Sequence, residues 1–112
     1  MSLWISLLLF VLPAAAGHAT AAQPPAPDRA VVARGAEVYR AQKCQACHAI
    51  AGAGNRRYPL DGVGSKLTDA QIRAWIVAPR EMNPKVRKRA YDKLPKDDLD
   101  ALVVYLTTLR TP

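Results

Sequence analysis

The chain has 112 residues, a formal net charge of +7 and two cysteines. This length fits one small domain, and the sequence contains neither an internal repeat nor a sign of a second domain. The apolar core of so small a domain is marginal, so we expect a cross-link or a buried cofactor to stabilise it.

Residues 1–21 predict a secretory signal peptide. An apolar run, Leu3 to Leu12, is followed by Pro13 and by the small residues Ala19-Thr20-Ala21, after which we expect cleavage. The apolar stretch is shorter than the about 20 residues that a membrane helix needs, but no Lys or Arg precedes it. An uncleaved membrane anchor therefore stays open as an alternative to a cleaved leader.

A proline-rich tether follows the leader. Residues 22–28 include Gln23-Pro24-Pro25-Ala26-Pro27, a composition typical of an extended linker without a fold of its own. The domain proper is predicted for residues 29–110. All charged side chains lie from Asp28 onward, so the basic charge belongs to the domain.

The first predicted helix runs from Arg29 to Lys43, where apolar residues repeat at helical spacing. Gly35 lies near its centre and costs about 1 kcal/mol relative to alanine. We therefore expect another helix to approach closely at Gly35, and the C-terminal helix is the expected partner.

Cys44-Gln45-Ala46-Cys47-His48 follows this helix and is the C-x-x-C-H signature for covalent attachment of a c-type haem. Each thiol adds to one vinyl group of the porphyrin, and the histidine binds the iron. A thioredoxin-like site lacks its flanking strand pattern, a zinc site lacks a fourth ligand, and a disulfide here would close a very small loop. The motif therefore favours one covalent haem c, which is attached outside the cytoplasm, in agreement with the leader.

The segment 49–66 is rich in glycine and contains Pro59, so it predicts an irregular loop. The next helix is predicted from Thr68 to Ala78, because Thr68 and Gln71 form a capping-box pattern and a proline follows at position 79. Trp75 in this helix has two open roles. It is either plain core or a residue at the haem edge, with its N–H reaching a propionate.

The last helix is predicted from Lys96 to Leu109, with Pro95 in its first turn and a stripe of leucines on one face. Before it lies the densest basic stretch, Arg80 to Lys96. This stretch is either an ordinary solvated face or a docking surface for an acidic redox partner or an anionic membrane surface. Outside the cytoplasm we expect no nucleic-acid partner.

The order of these elements resembles a monohaem class I c-type cytochrome. The residues that carry the likeness are the haem motif, Tyr58-Pro59-Leu60-Asp61-Gly62-Val63-Gly64 and the helix from Asp97 to Leu106. The resemblance implies an all-α, cytochrome c-like helical domain wrapped around one covalently bound haem. It also implies that the terminal helices cross at Gly35 and Tyr105, and that the Pro59 carbonyl orients His48.

The chain departs from this family at the sixth ligand of the iron. The family places a methionine shortly before the last helix, in a pattern like Met-Pro-x-Tyr/Phe-x-x-Leu. The matching stretch here is Lys88-Arg89-Ala90-Tyr91-Asp92-Lys93-Leu94, with a lysine in place of the methionine. Met82 is the first candidate ligand, in a loop between Pro79 and Pro84. Lys88 ligation and an open or water-filled position are the alternatives.

The sequence thus predicts a periplasmic electron carrier that is not an enzyme by itself. One alternative is a cytochrome subunit of a larger dehydrogenase or oxidase complex. Another is a haem protein whose open sixth site binds or senses a small ligand. A thiol-disulfide enzyme is a third class, and it would contain two thiols and no haem.

Overall fold

The computed structural model describes residues 14, 16–22 and 25–111. These residues form five α-helices, one 3₁₀ turn at Cys44–Ala46 and three short strands. The helices are α1 (Arg29–Ala41), α2 (Val63–Lys66), α3 (Asp69–Val77), α4 (Pro79–Met82) and α5 (Lys96–Thr107). The strands are β1 (His48–Ile50), β2 (Ala53–Gly54) and β3 (Tyr58–Pro59). The predicted helical class is confirmed, with the sheet confined to one connection.

Most of the predicted leader, residues 1–13 and 15, lies outside the described residues, as do Gln23 and Pro24 of the tether. The described parts of both segments are exposed. Within the ranges that the structure describes, no helix is long and apolar enough to span a membrane. Cleavage of the leader stays a prediction.

The terminal helices α1 and α5 cross at Gly35. A Cβ atom at this position would overlap the backbone carbonyl oxygen of Ala101 and the Cβ of Tyr105. One helix turn on, the rings of Tyr39 and Tyr105 meet edge to face, with their centroids 6.0 Å apart. The predicted crossing at Gly35 and Tyr105 is confirmed, and the cost of a glycine inside a helix is explained by this close approach.

The core lies where α3 packs beside this helix pair. Its buried side chains are Val38, Tyr39, Ile72, Ile76, Leu102, Val103 and Leu106. Both hydrogen bonds of the predicted capping box at Thr68 and Gln71 are present, so α3 begins where the sequence indicates. Helix α1 ends earlier than predicted because Lys43 adopts a left-handed backbone, with φ of 56°.

The predicted irregular loop contains β1, β2, β3 and α2. The strand order is β2-β1-β3, with β1 antiparallel to β2 and parallel to β3. Strands of two or three residues are too short to show an alternating pattern in the sequence. Their register places His48 opposite Tyr58, which determines how the haem motif is held.

Replacing Gly35 with alanine is expected to lower the free energy of unfolding by about 2 kcal/mol. Overpacking against backbone costs up to about 3 kcal/mol, and better helix propensity returns about 1 kcal/mol. Urea unfolding of the haem-loaded protein measures the change. Ala33→Val, on the exposed side of α1, is the control for added bulk. Equal midpoints for the Gly35→Ala variant and the unaltered protein would contradict the close crossing.

Candidate haem site

The two thiols of the C-x-x-C-H motif lie in a turn that surrounding backbone holds in place. The Cys47 N–H donates to the Cys44 carbonyl oxygen at 3.1 Å. Asn55 holds the turn through its side chain and its backbone. Its side-chain amide donates to the Ala46 carbonyl oxygen at 3.1 Å. Its backbone N–H lies within hydrogen-bond distance of the Gln45 and His48 carbonyl oxygens. Both cysteines are free, with Cys44 half-buried and Cys47 exposed, and burial raises the pKa of the Cys44 thiol. Both are therefore available for thioether formation.

His48 is oriented through one ring nitrogen. Its Nδ1 lies 2.8 Å from the backbone carbonyl oxygen of Tyr58. A carbonyl only accepts, so Nδ1 carries the proton and the lone pair of Nε2 stays free for a metal. Such a partner fixes the tautomer and the ring orientation of a ligating histidine.

The acceptor for His48 is Tyr58, and the prediction of the Pro59 carbonyl is wrong by one residue. The reason is the parallel pairing of β1 with β3, which sets His48 opposite Tyr58. The next bond along this ladder runs from the Leu60 N–H to the Ala49 carbonyl oxygen at 2.8 Å. Pro59 therefore lies in β3 between the residues that form these two bonds, and its carbonyl does not contact the histidine.

Two cavities meet at the motif. The inner cavity has an empty volume of about 550 Å³, part of it open to solvent, and is lined by Tyr39, Cys44, His48, Leu60, Val63, Leu67, Ile72, Ile76, Lys88, Tyr91, Leu102 and Leu106. The outer cavity has an empty volume of about 1300 Å³, also partly solvent, and is lined by Cys47, His48, Tyr58, Trp75, Asn83, Lys85, Val86, Arg87 and Lys88. His48 and Lys88 are the two residues that line both cavities.

Lys88 is half-buried between these cavities. Its Nζ donates to the Trp75 backbone carbonyl oxygen at 2.8 Å and lies 5.3 Å from the centroid of the Tyr91 ring. None of the ion pairs among the described residues includes Lys88. Burial lowers the pKa of its amine. The sequence places Lys88 within a charged run, and its only sign of a special role is its match to the family methionine.

Met82 and Trp75, the other predicted cofactor contacts, lie in different places. Met82 is the last residue of α4, its side chain is 38% exposed, and it lines neither cavity. Pro79 does not keep this segment out of helix, because it is the first residue of α4, where a proline is tolerated. Trp75 is half-buried and lines the outer cavity. Ligation by Met82 and a propionate contact by Trp75 stay predictions.

The site fits a covalent haem. The inner cavity has a mainly apolar lining, which suits the apolar faces of a porphyrin ring. The hydroxyl of Tyr39, which lines it, is buried and has no hydrogen-bond partner among the described residues. A buried hydroxyl normally has a partner, and the propionate oxygens of a haem are groups that would supply one. Two free thiols and the free Nε2 of His48 complete the donor set.

The sequence model of the family Cytochrome c matches residues 32–110. The chain belongs to the cytochrome c family. Members of this family bind haem c covalently and transfer electrons, so the predicted fold and cofactor class are confirmed. This membership covers all five helices except the first turn of α1.

The chain is also similar to a protein of Alkalihalophilus pseudofirmus described as cytochrome c oxidase subunit 2. The identity is 26% over 93 residues, which include 75% of this chain and 27% of the relative. The chain therefore spans about a quarter of the length of the relative that it matches.

Proposed function

We propose that this cytochrome c is a periplasmic electron carrier with one haem, held by Cys44, Cys47 and His48. The observation that carries the proposal is the oriented histidine between two cavities, one residue after a pair of free thiols. A bound haem would supply a one-electron Fe(III)/Fe(II) couple. The predicted leader supports the periplasmic location, because a c-type haem is attached outside the cytoplasm.

Some residues of the site would hold the cofactor, and others would shield it from water. The two thiols would form thioethers, and Nε2 of His48 would bind the iron while Tyr58 holds the ring. The apolar wall of the inner cavity would exclude water from one side. The outer cavity lies beside the exposed Cys47, which supports an accessible edge for electron exchange. Because members of the cytochrome c family transfer electrons, we propose a carrier and not an enzyme by itself.

We propose that redox partners dock at the basic face, which we define as Arg80, Lys85, Arg87, Arg89, Lys93 and Lys96. These six side chains are exposed, whereas Lys88 within the same stretch is half-buried. Lys85 and Arg87 also line the outer cavity, so part of the basic face adjoins the proposed haem edge. An acidic protein partner would therefore meet positive charge close to the cofactor. An anionic membrane surface is the second possible occupant of this face.

The test is to express the full chain in a host that matures cytochromes c, then to fractionate the cells and purify the protein. We expect a periplasmic protein, an intact mass with one haem that survives acid-acetone extraction, and a reversible one-electron redox titration. A colourless protein with two titratable thiols would overturn the proposal and favour a thiol-disulfide enzyme.

A second candidate function is that of a cytochrome subunit in a larger redox complex. The partial match to an oxidase subunit favours it, since the chain matches 27% of that longer protein. Native electrophoresis of the periplasmic fraction and of solubilised membranes from the source organism, stained for covalent haem, distinguishes the two. A band at the size of the free chain supports the carrier, and a single high-mass band supports the subunit.

A further inference from the structure

We propose that the amine of Lys88 is the sixth ligand of the haem iron, which His48 would also bind. This inference rests on the proposed haem site and identifies the residue that completes it. Lys88 and His48 are the two residues that line both the inner and the outer cavity. A cofactor bound through His48 between these cavities would have the Lys88 side chain beside it.

The segment that carries Lys88 is fixed to α3 at two points. The Lys88 Nζ donates to the Trp75 carbonyl oxygen at 2.8 Å, and the Tyr91 backbone N–H donates to the Ile76 carbonyl oxygen at 2.9 Å. An amine that binds a metal through its lone pair still has two N–H groups. The bond to Trp75 is therefore compatible with ligation, and it would hold the amine in place.

No neighbouring carboxylate in the described part of the chain balances the charge of the half-buried Lys88 amine. No carboxylate among the described residues forms an ion pair with it, although Lys96 and Arg73 each pair with Asp100. A half-buried cation without a carboxylate partner carries a desolvation cost, which the Trp75 carbonyl and the Tyr91 ring offset in part. Binding to the iron would convert the ammonium into a neutral amine, with its proton released to solvent through the outer cavity. Ligation would thus remove the positive charge of a half-buried nitrogen that has no ion pair among the described residues.

The other donor groups near the cavities are less well placed. Met82 is exposed and lines neither cavity. Lys85 lines the outer cavity but is exposed. Tyr39 and Tyr91 line the inner cavity alone. Lys88 also occupies the position that the methionine has in the pattern of this family. The iron in this chain would therefore bind an amine at the point where the family supplies a thioether.

The experiment uses the full haem-loaded protein and records ferric absorption and electron paramagnetic resonance spectra near neutral pH. We expect a low-spin ferric haem without the weak long-wavelength band that thioether ligation produces, and no carbon monoxide binding on mixing with the reduced protein. Lys88→Ala should become high-spin and should bind carbon monoxide. Lys88→Met should become low-spin with the thioether band. Lys85→Ala and Met82→Ala are the matched controls and should leave the spectra unchanged.

Several outcomes would overturn the ligand assignment. A thioether band in the unaltered protein that disappears in Met82→Ala would assign the ligand to Met82. A high-spin unaltered protein that binds carbon monoxide would mean an open site and a ligand-binding function. A low-spin spectrum that survives in Lys88→Ala would point to another donor. If Lys88→Ala does not accumulate, the unaltered protein and Lys88→Met decide. A chain without haem is a different result, because it contradicts the proposed function itself.

Discussion

Replacing both Cys44 and Cys47 with serine is expected to abolish covalent haem attachment. Serine is close to cysteine in size, but its hydroxyl does not add to the porphyrin vinyl groups as a thiol does. Each single variant should keep one thioether and therefore its haem mass, with lower yield. Intact mass spectrometry after acid-acetone extraction measures the number of attached haems.

Gln45→Ala is the matched control for the cysteine variants, because Gln45 lies inside the motif, is exposed and carries no thiol. It should retain the full haem mass. Retention of haem mass by the double serine variant would show that attachment uses other residues. Loss of haem from the Gln45 variant would mean that any disturbance of the turn prevents attachment, so the thiols would not be specifically responsible.

The helices could be predicted because their signals are local. The capping box at Thr68 and Gln71 sets the start of α3 through bonds between residues three apart. Gly35 is unfavourable in a helix on its own, and this indicated a close contact with another element. The apolar stripe of the last helix makes α5 the expected partner, but the pairing of Gly35 with Tyr105 comes from the resemblance, because no local rule connects residues so far apart in the chain.

The contacts around His48 could not be predicted to the residue because they depend on long-range pairing. Strands β1 and β3 are three and two residues long, so their sequences contain no usable alternation. A shift of one residue in such a pair changes which carbonyl faces the histidine. The observed register selects Tyr58, where the resemblance had implied Pro59.

The sequence around Lys88 gives no sign that its side chain is half-buried. Arg87 and Arg89 on either side are exposed, so the composition of this stretch indicates a uniformly solvated face. The tertiary bond to the Trp75 carbonyl and the lining of both cavities distinguish Lys88 from them. The same fold leaves Met82 at the end of α4, where a short helix replaces the predicted loop.

The rate of electron exchange with an anionic redox complex is expected to fall steeply as salt rises. Hexacyanoferrate can serve as the probe, because it tests the charge near the cofactor without a known protein partner. Attraction by a charged surface raises association rates by a factor of about 10 to 1,000, and salt removes it beyond a Debye length of about 10 Å at 0.1 M. Stopped-flow absorption of the haem measures the rate. A cationic cobalt complex should show the opposite salt dependence.

The variant that tests the basic face combines Lys85→Gln with Arg87→Gln, the two basic residues that line the outer cavity and are exposed. We expect its rate with hexacyanoferrate at low salt to fall about 10-fold, the lower end of the steering effect. The control combines Arg29→Gln with Lys66→Gln, which are exposed, lie outside the basic face and change the net charge equally. Its rate should stay close to that of the unaltered protein. Equal losses in both double variants would mean that overall charge attracts the probe, and the stretch from Arg80 to Lys96 would then be an ordinary solvated face.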